Sequence, residues 1–188
     1  PTGMLRPGVP LCPPEGDAGT GMVATNSVRP RTGNVSAGTS AFAMIVLERP
    51  LRTLVEQIDL VATPSGAPVA MAHSNNCTSD LNAWVEVFDQ FARAIGAPIE
   101  RGRLFDVLLG AADDGSMDDA GVVAFNFLSG EHLVGLASGR PMVVRRPEST
   151  LSLAALMRAH LFAAFASMAY GVRVLRANAD VPIDSMLA

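Results

Sequence analysis

Glu15-Gly16-Asp17-Ala18-Gly19-Thr20-Gly21 and, a short way on, Val35-Ser36-Ala37-Gly38-Thr39-Ser40 are the densest run of chemistry-bearing residues in the chain. In the first stretch Asp17 sits where an N-cap would, ahead of Ala18, Met22, Val23 and Ala24, so the spacing predicts a short, glycine-loosened helix. In the second, Gly38-Thr39-Ser40 separates two apolar runs. Residues 34–47 therefore read as strand, tight turn, strand, and 42–47 is apolar enough to be buried on both faces. A carboxylate at a helix start can accept a proton from a substrate hydroxyl. A glycine-threonine turn between strands can point backbone N–H groups and a hydroxyl at phosphate oxygens. Together they would place a base and an anion cradle on two sides of a cleft, which phosphoryl transfer to an alcohol requires. Each feature also has an ordinary structural reading, as a helix cap and as a hairpin turn.

Outward from this centre, prolines 1, 7, 10, 13 and 14 make residues 1–15 an extended arm. Residues 58–63 and 68–73 flank Pro64-Ser65-Gly66 and predict a hairpin. A helix is expected from Ser79 to Ile95, with Leu81, Trp84, Val85, Phe88 and Phe91 at helical spacing as core, stopped by Gly96 and Pro98. A second helix runs from Arg103 to Ala112 and closes at Asp113-Asp114-Gly115. Residues 122–128 form a short strand, and 129–147 read as irregular. Ser149 or Thr150 would cap a long helix carrying Leu153, Leu156, Met157, Leu161, Phe165 and Met168, and residues 181–187 begin one more strand. This order of strands and helices indicates an α/β layer domain.

The length of 188 residues suits one ordinary domain, and 49% hydrophobic with 17% charged residues indicates a folded chain. All 14 basic residues are arginine. The absence of lysine excludes a P-loop, a protein-kinase strand lysine and Schiff-base chemistry from this chain. A net charge of −4 and no basic run beyond Arg145-Arg146 argue against duplex nucleic acid as a partner. Cys12 and Cys77 are too few for a disulfide framework, so a reducing, cytoplasmic setting is expected. The apolar run 161–172 is about half a membrane span and reads as a buried helix, with no membrane partner. The chain begins on Pro1, which suggests a cut or processed start.

The run Glu15-Gly16-Asp17-Ala18-Gly19-Thr20-Gly21-Met22-Val23-Ala24 resembles the catalytic-aspartate segment of the FGGY carbohydrate kinases. Thr32-Gly33-Asn34-Val35-Ser36-Ala37-Gly38-Thr39-Ser40 is similar to their phosphate-binding hairpin, and Phe127-Leu128-Ser129-Gly130-Glu131 to their Ser-Gly-Glu loop. The resemblance implies an α/β fold of the actin- and hexokinase-like ATPase (ribonuclease H-like) kind, a mixed sheet with flanking helices. It also implies ATP, Mg²⁺ and a sugar as ligands. It assigns Asp17 as general base and Gly38, Thr39 and Ser40 to the phosphates of ATP, and it sets residues 75–82 near the nucleotide. Residues 1–32 would be the end of a first lobe and 33–188 most of a second, nucleotide-binding lobe. The family's first lobe and its final adenosine loop have no counterpart here, so the lobe is incomplete. The expected parent is an ATP-dependent kinase of a ketopentose or related sugar, xylulokinase-like, and the 188 residues alone are expected not to turn over.

The rival reading is a non-catalytic nucleotide-sensing or oligomerisation module, since a truncated lobe exposes core and favours self-association into a homo-oligomer. Other candidates carry less. His73 and Cys77 have helical spacing but no second ligand pair for zinc. Asp113, Asp114, Asp118 and Asp119 lack the ligand order of a calcium loop. Ser129-Gly130 is not a nucleophile elbow. Arg140, Arg145 and Arg146 read as a solvated loop face.

Overall fold

The computed structural model describes residues 8–10, 16–113, 121–179 and 181–188. Its centre is the apolar strand β2 (Ala41–Val46), whose cross-strand partners lie on both sides. β1 (Thr32–Ala37) pairs antiparallel with it through the 38–40 turn, and Ala37 faces Ala41 across that turn. β3 (Asp59–Ala62) and β4 (Pro68–Ser74) form the expected hairpin around Pro64-Ser65-Gly66. β4 pairs antiparallel with β2, and the terminal β7 (Ser185–Leu187) pairs parallel with β1. The resulting five-stranded mixed sheet has the order β3-β4-β2-β1-β7.

Alternation along the strands divides the sheet into two faces. On one, Ala41, Ala43, Ile45, Ala70 and Ala72 are buried against Ala164, Met168 and Leu175 of α4 (Leu153–Ala179). The small strand residues let α4 lie close to the sheet. A Cβ at Gly171 would sit 2.8 Å from the Cβ of Ala72 and 3.0 Å from Leu133, so this helix position admits only glycine without movement. The 27-residue α4 is long and apolar enough to cross a membrane, but here its apolar face covers the sheet. On the other face, Met22 of α1 (Asp17–Ala24) packs on Met44, Val46 and Val69. α2 (Thr78–Ala94) and α3 (Arg101–Asp113) bury Leu81, Val85, Leu104 and Leu108 with Met157 of α4.

Several expectations change in the folded chain. Gly16, not Asp17, is the N-cap of α1, and Asp17 opens its first turn. Residues 129–147 are not all irregular: β6 (Met142–Arg145) pairs antiparallel with β5 (Val122–Phe125), which ends short of Leu128. One side of this ribbon packs Ala124 and Val122 on Ala159 and Ala163 of α4. The long helix begins at Leu153, with the Ser152 hydroxyl accepting the Ala155 N–H at 3.1 Å. Ser149 is already spent in a turn, donating its N–H and hydroxyl to the Arg146 carbonyl. Phe91, counted as core by spacing, is 63% exposed, because α2 buries only the side turned to α3 and α4. The proline arm, apart from residues 8–10, and Asp114, Gly115, Asp118 and Asp119 lie outside the described residues.

Candidate active site

The 38–40 turn is fastened from behind. The Thr39 carbonyl accepts the Cys77 N–H at 3.0 Å, and the Gly38 carbonyl accepts both the N–H (3.1 Å) and the hydroxyl (2.7 Å) of Thr78. Cys77 is the N-cap of α2 and Thr78 its first residue, so the turn rests on that helix start. A helix N-terminus has orphan donors, and two of them here satisfy the turn's carbonyls. The turn itself is closed by the Gly38 N–H donating to the Ser40 carbonyl at 2.8 Å. Gly38 and Thr39 are exposed and Ser40 half-buried. Among the described residues nothing engages the Thr39 or Ser40 hydroxyl, which leaves both free for a ligand. The segment 75–82 thus reaches the turn through Thr78 and Cys77, residues that spacing alone does not single out.

Asp17 stands on the α1 side of the sheet. Gly21, one turn further along α1, lies over the Asn34 side chain of β1, and Met22 anchors the helix on Met44. Asp17 is exposed, and its Oδ1 accepts the Ala18 N–H at 2.8 Å. Among the described residues Oδ2 has no partner, so one carboxylate oxygen is open to accept a proton. Among the described residues no hydrogen bond or ion pair joins Asp17 to the 38–40 turn.

Sequence reasoning passed over the network that holds the α2 start in place. Glu131 is fully buried. Its Oε2 accepts the Ser74 hydroxyl at 2.9 Å, the Asn76 N–H at 3.3 Å and the Asn76 Nδ2 at 3.2 Å. The Asn76 Oδ1 accepts the Ser129 N–H and hydroxyl at 3.0 and 3.2 Å. Asn126 Nδ2 donates to the carbonyls of Asn76 (3.3 Å) and Cys77 (3.1 Å). The β4–α2 junction is therefore caged by the loop 126–131, and the junction in turn carries the 38–40 turn. The sequence marked Ser129-Gly130-Glu131 only as a run resembling a family loop, and the donors to Glu131 lie more than fifty positions away.

A buried acid–imidazole pair flanks this junction. Asp80, in the first turn of α2, places its Oδ2 3.0 Å from Nδ1 of His160 on α4, and both are buried. Burial pushes the His160 pKa below its ordinary 6.5, and the Asp80 charge opposes this only in part. Burial also pushes the Cys77 thiol pKa up, against a hydrogen bond from the Gly38 backbone. His73 is edge-on to Phe42 and near His132, with ring centroids 6.3 and 6.2 Å away.

With this arrangement in hand, the model for the C-terminal domain of the FGGY family of carbohydrate kinases matches residues 33–188. The chain belongs to that family. The fold is similar to xylulose kinase from Bifidobacterium adolescentis, with a TM-score of 0.66 and 18% identity over 89% of this chain and 31% of that one. Xylulose kinase from Rhodospirillum rubrum gives 0.65 at 17% identity, covering 86% and 30%. Plasmodium falciparum glycerol kinase, solved with ADP, gives 0.62 at 12%, covering 92% and 33%. At such identities the likeness is one of fold, the actin- and hexokinase-like ATPase fold. This FGGY chain spans about a third of the length of those kinases. No curated protein sequence matches it.

Proposed function

We propose that this FGGY chain is the nucleotide-binding lobe, residues 33–188, with the end of the preceding lobe, residues 1–32, of an ATP-dependent kinase of a ketopentose or related sugar, xylulokinase-like and cytoplasmic. The observation that carries the reading is the clamp of Cys77 and Thr78 on the carbonyls of Thr39 and Gly38. It holds a glycine-threonine turn rigid while leaving its hydroxyls open, which suits phosphate oxygens. The turn leaves open space for the phosphates of ATP, since Gly38 has no side chain and the nearest atom to a Cβ built there is the Ser40 carbonyl at 3.9 Å. Gly38, Thr39 and Ser40 would bind and orient its phosphates. When bound, Mg²⁺ supplies charge neutralisation on phosphate oxygens, and such ions keep several waters and few protein ligands. Asp17 would take the proton of the sugar hydroxyl on its open Oδ2.

The test is Asp17→Asn in the whole enzyme that contains this lobe, assayed by sugar-dependent ADP production with D-xylulose. A fall in kcat of ~10²–10⁴ with nucleotide affinity retained is expected; an unchanged kcat removes Asp17 from the base role. The 188 residues alone should release no sugar-dependent ADP. A second reading, a non-catalytic nucleotide-sensing or oligomerisation module, draws on the outward side of the β5–β6 ribbon, where Val123, Phe125, Met142 and Val144 are exposed. Sedimentation velocity together with ATP calorimetry separates the two.

A further inference from the structure

The connection after β2 and the end of α4 enclose a cleft of about 580 Å³. Arg49 and Arg52 line it from the connection, Arg176 lines it from the last turn of α4, and Leu51, Val181 and Pro182 add apolar wall. Its size lies within the ~300–1,000 Å³ of small-molecule sites. It opens at the end of β2 opposite the 38–40 turn, about 20 Å away at ~3.3 Å per strand residue. It is therefore separate from the candidate active site.

Among the described residues of the lining, arginine outnumbers carboxylate. Among the described residues, Arg49, Arg52 and Arg176 form no ion pair within 4.0 Å. Among the described residues the lining carboxylate is Glu48, whose Oε1 is 4.0 Å from Nη1 of Arg31, and Arg31 also holds Asp184 at 2.6 Å. Arg31 is fixed in that place by a left-handed backbone, φ 68°, and by its N–H donating to the Val46 carbonyl at 2.9 Å. Arg31 thus shares its charge between Glu48 and Asp184, and three arginines line one concavity on a chain of net charge −4. The C-terminal dipole of α4 brings roughly half a negative charge, which Arg176 in that turn outweighs.

We infer that this cleft binds a phosphorylated small molecule. Its phosphoryl dianion is held by Arg49, Arg52 and Arg176, and its organic body rests on Leu51, Val181 and Pro182. Planar guanidinium forks match phosphate oxygens bidentately, and a dianion answers three cations better than a single carboxylate does. The test is an amide-resolved NMR titration of the full chain at low salt, with inorganic pyrophosphate and with ribose 5-phosphate in separate arms. Saturable shifts in residues 48–53 and 176–178 are expected, with a Kd of about 1 mM or tighter for ribose 5-phosphate. Arg52→Ala with Arg176→Ala should weaken it at least ~10-fold, and Thr39→Ala should leave it unchanged. Arg52→Lys with Arg176→Lys, which keeps the charge and removes the fork, should weaken it less and guards against misfolding of the alanine pair. Shifts confined to residues 36–40, or equal affinity in both double variants and the parent chain, overturn the site. Tighter binding of pyrophosphate than of ribose 5-phosphate overturns the organic ligand.

Discussion

Removing the Glu131 side chain tests how the candidate active site is supported. Glu131→Ala takes away the acceptor of three donors: the Ser74 hydroxyl, the Asn76 N–H and the Asn76 side-chain amide. They do not suffer equally. Ser74 retains the Asn76 carbonyl at 2.9 Å, and the Asn76 amide retains the Ser129 and Gly130 carbonyls at 3.4 Å. The Asn76 N–H has no second acceptor among the described residues and is left buried and unsatisfied, at ~1–3 kcal/mol. The cavity left by the side chain adds about 1 kcal/mol or more, for a total near ~2–4 kcal/mol. Glu131→Gln fills the same volume and keeps a carbonyl oxygen toward the donors. It then places its NH₂ where Oε1 now sits buried without a hydrogen-bond partner, so its loss should be the smaller one, ~1–2 kcal/mol. Urea unfolding of the three chains measures both values. Native-state hydrogen exchange at Cys77 and Thr78, whose N–H groups hold the 38–40 turn, should quicken in the same order. Glutamine as damaging as alanine, or exchange at those two amides unaltered in both variants, would refute the reasoning.

Gly171→Ala should lower stability by up to ~2 kcal/mol in thermal unfolding: helix propensity favours alanine by about 1 kcal/mol, but overpacking against Ala72 costs ~1–3. A gain would mean that α4 can lift from the sheet at little cost. The His160 pKa is lowered on folding, so the unfolded chain binds the extra proton first; stability is then full above 6.5 and lost as pH falls below it toward the folded value. His160→Gln should flatten that slope in urea unfolding measured from pH 7 to 5, and an equally steep slope would assign it to other groups.

Much of the sheet and its helices could be read from local pattern. The hairpins around Gly38-Thr39-Ser40 and Pro64-Ser65-Gly66 are set by residues within a few positions of each other, and so are the apolar stripes of α2 and α3. Errors arose where a distant partner decides. The exposed strand β6 is a strand because β5 offers its backbone groups, and Met142-Val143-Val144 has no alternation that says so. Phe91 has the spacing of a core residue, but α3 and α4 cover the other side of α2. In the candidate site the exposed turn and Asp17 were legible because glycine, threonine and a carboxylate carry chemistry wherever they stand. The stretches holding Thr78 and Glu131 stood out only through the family resemblance, and their supporting contacts were not legible, since a threonine and a glutamate become supports only when a strand end and a loop meet.

By itself the sequence determined the chemistry on offer: arginine without lysine, a carboxylate at a helix start, a glycine-threonine turn between apolar strands, and motif runs that resemble one kinase family. These are local properties, carried by side-chain type and short-range backbone preference. The tertiary structure alone decided which groups are held, which are free and which are brought together. Buried hydrogen bonds and charge balance depend on contacts between residues far apart in the chain, such as Ser74 with Glu131 and Arg31 with Asp184. That is why the support beneath the turn and the arginine-lined cleft came to light only in the folded chain.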